Sequence, residues 1–139
     1  MTNDGMRQEN KHLLLKLLQQ HKELGISEQI DFDKFYMYSI ITHSTAIEGS
    51  TVTEVEAQLL FDEGISSGKR TLMEQMMNLD LKVAYDYGRQ WIQRHEPIMV
   101  DWLITLAGKV MARTGSEYNA LGGTFSAAKG ELRKLNVTA

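Results

Sequence analysis

The sequence contains no cysteine. That excludes disulfides, thiolate metal sites and a cysteine nucleophile, and it fits a reducing compartment. There is one proline, Pro97, so few positions force the chain to break. No apolar run approaches the length of a membrane span, and Met1 to Asn10 is polar and charged, without the pattern of a signal peptide. The expectation is a cytoplasmic protein with no membrane partner. Basic excess is also missing: 15 Lys and Arg against 18 Asp and Glu leave a net charge of −3, so nucleic acid is not the default partner. Gly64-x-x-x-Gly68-Lys69-Arg70 fails as a phosphate-binding loop in both spacing and last residue. Asp80, Asp86 and His95 lack metal-ligand spacing, and Glu28, Asp31 and Asp33 form no calcium loop. The Gly/Ser/Lys stretch is read as a solvated loop.

What the chain does have is helical patterning. With 139 residues, 42% hydrophobic and 24% charged, it can bury one real core. The fold class read from it is all-α, a helical bundle of about five helices followed by a C-terminal loop and the start of a β-hairpin. A loose tail, residues 1–6, precedes a helix from about Arg7 to Glu23 with Leu13, Leu14, Leu17, Leu18 and Leu24 on its apolar side and Gly25 as its cap. A linker, Ile26 to Ile30, leads to Asp31 as N-cap of the second helix. Phe32, Tyr36, Ile40, His43 and Ile47 form one stripe of a 3.6-residue period there. Thr53 to Glu56 fits a capping box opening a third helix, with Val55, Leu59 and Leu60 apolar and Gly64 closing it. A fourth helix runs from about Thr71 to His95 with Leu72, Met73, Met76, Leu79, Val83, Tyr87 and Trp91 as its stripe. Met73, Met76 and Met77 are read as core filler. A fifth runs from Ile98 to Arg113 with Trp102, Leu103, Leu106, Val110 and Met111 inward. Glu117 to Gly130 reads as a long loop, and Glu131 to Ala139 as a strand around Leu132 and Leu135. A lone strand lacks a partner, so self-association is expected, or disorder beyond about Gly115.

The stretch around which the chain is organised is Ile40 to Thr53. Ser44 and Glu48 are four apart and share a helix face, and Gly49 stands where a left-handed cap belongs. Glu48 is badly placed. A carboxylate in the last turn faces the negative end of the helix macrodipole, at a cost of roughly 0.3–1 kcal/mol. It is either solvated or held by a cation from elsewhere. His43 and Ser44 are neighbours on the helix, do not face each other, and make no nucleophile pair.

Ser44-x-x-x-Glu48-Gly49, followed by Ser50-Thr51-Val52-Thr53, resembles the inhibitory-helix motif of Fic-domain proteins. Ile47 to Thr53 is similar to that family's Ile-Glu-Gly-Asn-x-Leu-Thr string, with Ser50 for Asn and Val52 for Leu. Glu74 and Asn78 stand where the family often has Glu-x-x-x-Asn. Gly130 and Arg133, with Val137 beyond, look like its Gly-x-x-Arg stretch leading into a flap that positions the target segment. The resemblance spans roughly Phe35 to Val137. It implies a family that transfers AMP from ATP, with Mg²⁺, to a hydroxyl of a target protein. The family's catalytic string, His-x-Phe-x-(Asp/Glu)-Gly-Asn-(Gly/Lys)-Arg, is opened by none of His12, His21, His43 or His95, so no catalytic, cofactor or metal residue is assigned and the chain alone is expected to be inactive. The resemblance implies an N-terminal helical region, residues 1–96, with the inhibitory helix at about 31–49, and at 97–139 the beginning of a Fic-like core truncated before that string. In the family the inhibitory Glu pairs with the last Arg of the catalytic string and fills the ATP γ-phosphate site, which makes Ser44, Glu48 and Gly49 the inhibitory residues and Gly130 and Arg133 the flap residues. The implied partner is a Fic catalytic core, in cis for a truncated enzyme or in trans for an antitoxin-like inhibitor. The remaining alternative is a non-catalytic helical interaction module.

Overall fold

A computed structural model describes residues 3–134. The chain is mostly helical, with one small two-stranded sheet: α1 (Asn3–Glu23), α2 (Ile26–Gln29), α3 (Phe32–Ile47), α4 (Glu54–Gln58), a π-helical turn (Leu59–Glu63), α5 (Leu72–Gln93), α6 (Val100–Val110), β1 (Glu117–Ala120), β2 (Gly123–Ser126) and a 3₁₀ turn (Ala127–Lys129). The five expected helices are present, and a sixth, α2, occupies a single turn of the expected linker. Two compact units are distinguished, Met1–Tyr36 and Met37–Ala139, with the division inside α3.

In the first unit, α1 starts four residues before Arg7. Only Gly5 opposes helix there, at about 1 kcal/mol. Gly25 takes the left-handed conformation between α1 and α2 (φ +60°), and the Asp31 carboxylate accepts from the Lys34 N–H at 3.0 Å, as an N-cap should. Leu13, Leu14, Leu17, Leu18 and Leu24 all remain exposed.

The second unit overturns the expected inward face of α3. Ile40 and Ile47 are exposed, Ile47 at 85%, while Met37, Tyr38, Ile41, Thr42 and Thr45 are buried. The two threonines mislead a reading by polarity. Thr42 Oγ1 donates to the Tyr38 carbonyl at 2.8 Å and Thr45 Oγ1 to the Ile41 carbonyl at 3.0 Å. Thr42 is satisfied within its own helix, and Thr45 shares its hydroxyl between its own helix and the Asn78 side chain, so both bury at little cost. Phe61, Leu81 and Tyr85 pack against Met37, Tyr38 and Ile41 to make the core.

The capping box of α4 is formed at Thr53 and Glu56, but Val55 points outward and Ala57 inward. The helix then widens into the π turn before Gly64 (φ +71°) closes it. On α5, Leu72, Met73 and Val83 of the expected stripe are exposed, and Asn78, Asp80 and Ala84 are buried instead. Tyr87 and Trp91 do turn inward, to within 6.1 Å and 5.8 Å of the buried Trp102 ring. The helix α6 is shorter than expected because Met99 is still extended two residues after Pro97 (φ −119°, ψ 161°). Trp102 is buried, while Leu103 and Met111 are exposed.

The expected loop at 117–130 is a β-hairpin followed by the 3₁₀ turn. Its register pairs Glu117 with Ser126 and Ala120 with Gly123, and Tyr118 stacks on Phe125 with ring centroids 5.0 Å apart. Such aromatic cross-strand pairs stabilise an otherwise marginal two-stranded ribbon. The expected C-terminal strand is not formed over 131–134, and Leu135 and Val137 lie outside the described residues. The described hairpin therefore precedes Gly130.

Candidate functional site

The site is built from the backbone of the α3 terminus outward. The Gly49 N–H donates to the Ala46 carbonyl (3.0 Å) and the Ser50 N–H to the Thr45 carbonyl (3.0 Å). Those two bonds define a Schellman motif with Glu48 as its last helical cap and Gly49 as its left-handed residue. Gly49 has φ +96°, and a side chain there would meet nothing within 4 Å. Ser44 and Glu48 are both exposed. Among the described residues, the Glu48 carboxylate has no hydrogen bond or ion pair. Glu48→Gln is therefore expected to change stability by no more than about 1 kcal/mol, the scale of its unfavourable dipole, in urea unfolding at neutral pH. A larger loss would reveal a structural contact at this carboxylate.

The residues after Gly49 are held by α5. Asn78, with no exposed surface, accepts from Thr45 Oγ1 at 3.2 Å and donates through Nδ2 to Ser50 Oγ at 3.1 Å and to the Glu74 carbonyl at 2.9 Å. One amide thus bridges the two residues whose backbones close the Schellman turn. Glu74 lies one turn earlier. Its Oε1 accepts from the Thr51 N–H (2.7 Å) and Thr51 Oγ1 (2.6 Å), and its Oε2 from the Thr71 N–H and Thr71 Oγ1 (both 2.8 Å). The same carboxylate completes the capping box of α5 and fixes the loop after Gly49. Arg70 extends the clamp, donating through Nη1 to Thr51 Oγ1 (2.9 Å) and through Nε to both Glu56 oxygens (3.1 and 3.0 Å).

Hydrogen bonds to the ionised form hold both carboxylates well below their ordinary value. For Glu74 the Thr51 hydroxyl is the leading cause, followed by the Thr71 and Thr51 N–H groups, and the pKa falls from 4.5 to about 2. For Glu56 the Thr53 N–H leads, with Arg70 and the Ser67 and Thr53 hydroxyls, and the pKa again falls to about 2. Depressed folded-state values mean that this stabilisation is complete above 4.5 and is lost as pH falls from 4.5 toward 2. Protection of the Thr51 amide from hydrogen exchange, corrected for intrinsic rates, should decline across that window. Decline at higher pH would exclude these carboxylates as its source.

The structure thus ties Glu74 and Asn78 to Thr45, Ser50 and Thr51, the residues on either side of Glu48 and Gly49, while the exposed Ser44 and Glu48 make no contact with that pair among the described residues. Gly130 and Arg133 form no part of that cluster. Gly130 (φ +70°) is buried against α6, where an added Cβ would overlap the Ile104 carbonyl oxygen and lie 2.7 Å from the Gly108 nitrogen. Arg133 is exposed, with no hydrogen bond or ion pair among the described residues. His43 is exposed, its Nδ1 2.8 Å from the Ser39 carbonyl and 3.7 Å from Glu54 Oε1. Sequence reasoning missed the roles of Arg70 and the buried Asp80, and it read Glu56 only as a helix cap and Thr51 only as part of a motif string. The capping-box spacing Thr71-x-x-Glu74 was the available signal for part of this clamp. Among the described residues no three His, Asp or Glu side chains converge as metal ligands. Comparison with family models, with curated proteins and with solved structures gives no match to this chain.

Proposed function

We propose that the chain is the regulatory portion of a Fic-type protein adenylyltransferase acting in the cytoplasm, and that Glu48 inhibits AMP transfer by pairing with an arginine of the catalytic core and filling the space of the ATP γ-phosphate. The observation that carries the reading is the state of Glu48. Its neighbours at positions 45, 50 and 51 are fixed by Asn78 and Glu74, yet its own carboxylate stands exposed at the negative end of a helix. A guanidinium offers a bidentate charge-assisted pair that would offset this placement. Arg70 is committed to Glu56 and Thr51, and the resemblance supplies the cation instead: the last arginine of the family's catalytic string.

The test uses the purified chain, α-labelled ATP, Mg²⁺ and a Fic-type transferase core stripped of its own inhibitory helix. The chain alone should transfer no AMP. Added in excess to the core, it should suppress transfer, and Glu48→Gly should need at least about thirtyfold more protein for the same suppression, as expected when a desolvated charge pair loses one member. Transfer by the chain alone, or equal suppression by the variant, would overturn the assignment. Delivery in trans is distinguished from delivery in cis by the reading frame downstream of the codon for Ala139.

A further inference from the structure

Glu48 occupies the middle of a six-residue turn, Thr45 to Ser50, that is closed twice. The backbone closes it through the Ser50 N–H and the Thr45 carbonyl. The Asn78 amide closes it again through the hydroxyls of the same two residues. Schellman turns form without such a bridge, so turn formation alone does not explain why a fully buried amide is spent on it. The bridge has a further cost: an asparagine buried with one partner missing is destabilising, and Asn78 needs Thr45, Ser50 and the Glu74 carbonyl all in place. The following residue is tied down separately, by the Glu74 carboxylate on the Thr51 N–H and hydroxyl. The contacts that Asn78 and Glu74 make with this segment fall on Thr45, Ser50 and Thr51, on either side of Glu48, and none falls on Glu48 itself.

We infer that Asn78 and Glu74 are positioning residues for the Glu48 carboxylate: they hold the α3 terminus and the loop after Gly49 in one conformation, so that Glu48 is presented to its cation preorganised. The inference rests on the inhibitory reading of Glu48 and adds to it the residues that set its potency. Preorganisation reduces the ordering cost of an encounter without adding a contact. Loss of the clamp should therefore weaken inhibition although Asn78 and Glu74 touch no partner. Maximal inhibition should survive, at a higher concentration of chain.

The experiment compares Glu74→Gln and Asn78→Ala with wild type, all in the full chain, by two readouts below the melting temperature of each variant. The first is amide hydrogen exchange, which does not depend on any Fic core. Exchange at Ser50 and Thr51 should rise about tenfold or more, the loss expected for one charge-assisted or buried hydrogen bond, while amides of α6 stay protected. The second is the concentration needed to half-suppress AMP transfer, which should rise about tenfold, with complete suppression still reached at saturation. Glu74→Gln keeps the side-chain shape and lies at the surface, so it remains informative where Asn78→Ala is poorly folded. Unchanged exchange at Ser50 and Thr51 in both variants would overturn the positioning role. So would raised exchange with unaltered inhibitory potency, since that is the behaviour of a purely structural clamp. If wild type itself does not suppress transfer, the inhibitory reading fails, and the exchange data still decide whether the clamp holds the turn.

Discussion

Gly130→Ala should cost the protein about 3 kcal/mol or more, enough to lower its melting temperature by roughly 10 °C. Two effects combine at this position. The backbone is left-handed (φ +70°), which a side chain disfavours by about 1–2 kcal/mol. The added Cβ would also overlap the Ile104 carbonyl oxygen and crowd the Gly108 nitrogen at 2.7 Å. Both neighbours are backbone of α6 and cannot swing aside, so the 3₁₀ turn must lift off the helix. Gly49→Ala is the internal control. Gly49 closes the same kind of motif: Gly130 donates to Ala127 and Glu131 to Ser126, as Gly49 does to Ala46 and Ser50 to Thr45. Yet Gly49 has open space around it, so only the strain remains, about 1–2 kcal/mol. Urea unfolding of the two variants measures the difference directly. Equal losses would mean that the contact with α6 yields without cost.

That contrast separates two glycines that look alike in the sequence. Both follow a helical or turn segment, and both belong to a string resembling a Fic motif. Only the structure places Gly130 in a packed contact and Gly49 beside an exposed carboxylate. Helix boundaries were largely legible because caps are local: Asp31, Thr53, Thr71 and Gly64 each act within a few residues. The inward faces were less so. Periodicity marked Phe32, Tyr36, Ile40 and Ile47 on α3, but burial went to a face containing Thr42 and Thr45, whose hydroxyls bond within their own helix. On α5 the deepest positions are Asn78 and Asp80, which a hydrophobic count scores as solvent-facing. Their burial is decided by partners 28 to 33 residues away in sequence, and no local pattern encodes those. The start of a C-terminal hairpin was expected, but its position was not legible, because its two strands are only four residues each, too short for alternation to register beside Gly122 and Gly123.

The second large effect is expected at the pair formed by Asp80 and Arg113, and its two halves should differ. Asp80 has no exposed surface. Its carboxylate accepts from the Arg113 N–H at 2.7 Å and from Arg113 Nη1 at 2.6 Å, tying α5 to the segment after α6. The Arg113 side chain is 48% exposed. Arg113→Met removes the guanidinium and leaves a carboxylate buried with one backbone N–H, a situation that typically costs 3–5 kcal/mol. Asp80→Asn removes the charge from the buried side, and the guanidinium left behind can reach water. The amide keeps the shape and one acceptor, so the loss is that of an imperfectly paired group, about 1–3 kcal/mol. Arg113→Met should therefore be the more destabilising, and the double variant should lose less than the sum of the two. A double-mutant cycle by urea unfolding at neutral pH tests this order, and the reverse order would mean that the carboxylate is better solvated than its burial implies. The pair also separates stability from presentation. Asp80 bonds to Arg113, whereas Asn78, two residues earlier on the same helix, bonds to Thr45 and Ser50. Below its melting temperature the Arg113 variant should keep the exchange protection of Ser50 and Thr51 that the Asn78 variant loses. Loss of that protection in both would make the turn around Glu48 a reporter of global stability and remove the case for a dedicated clamp.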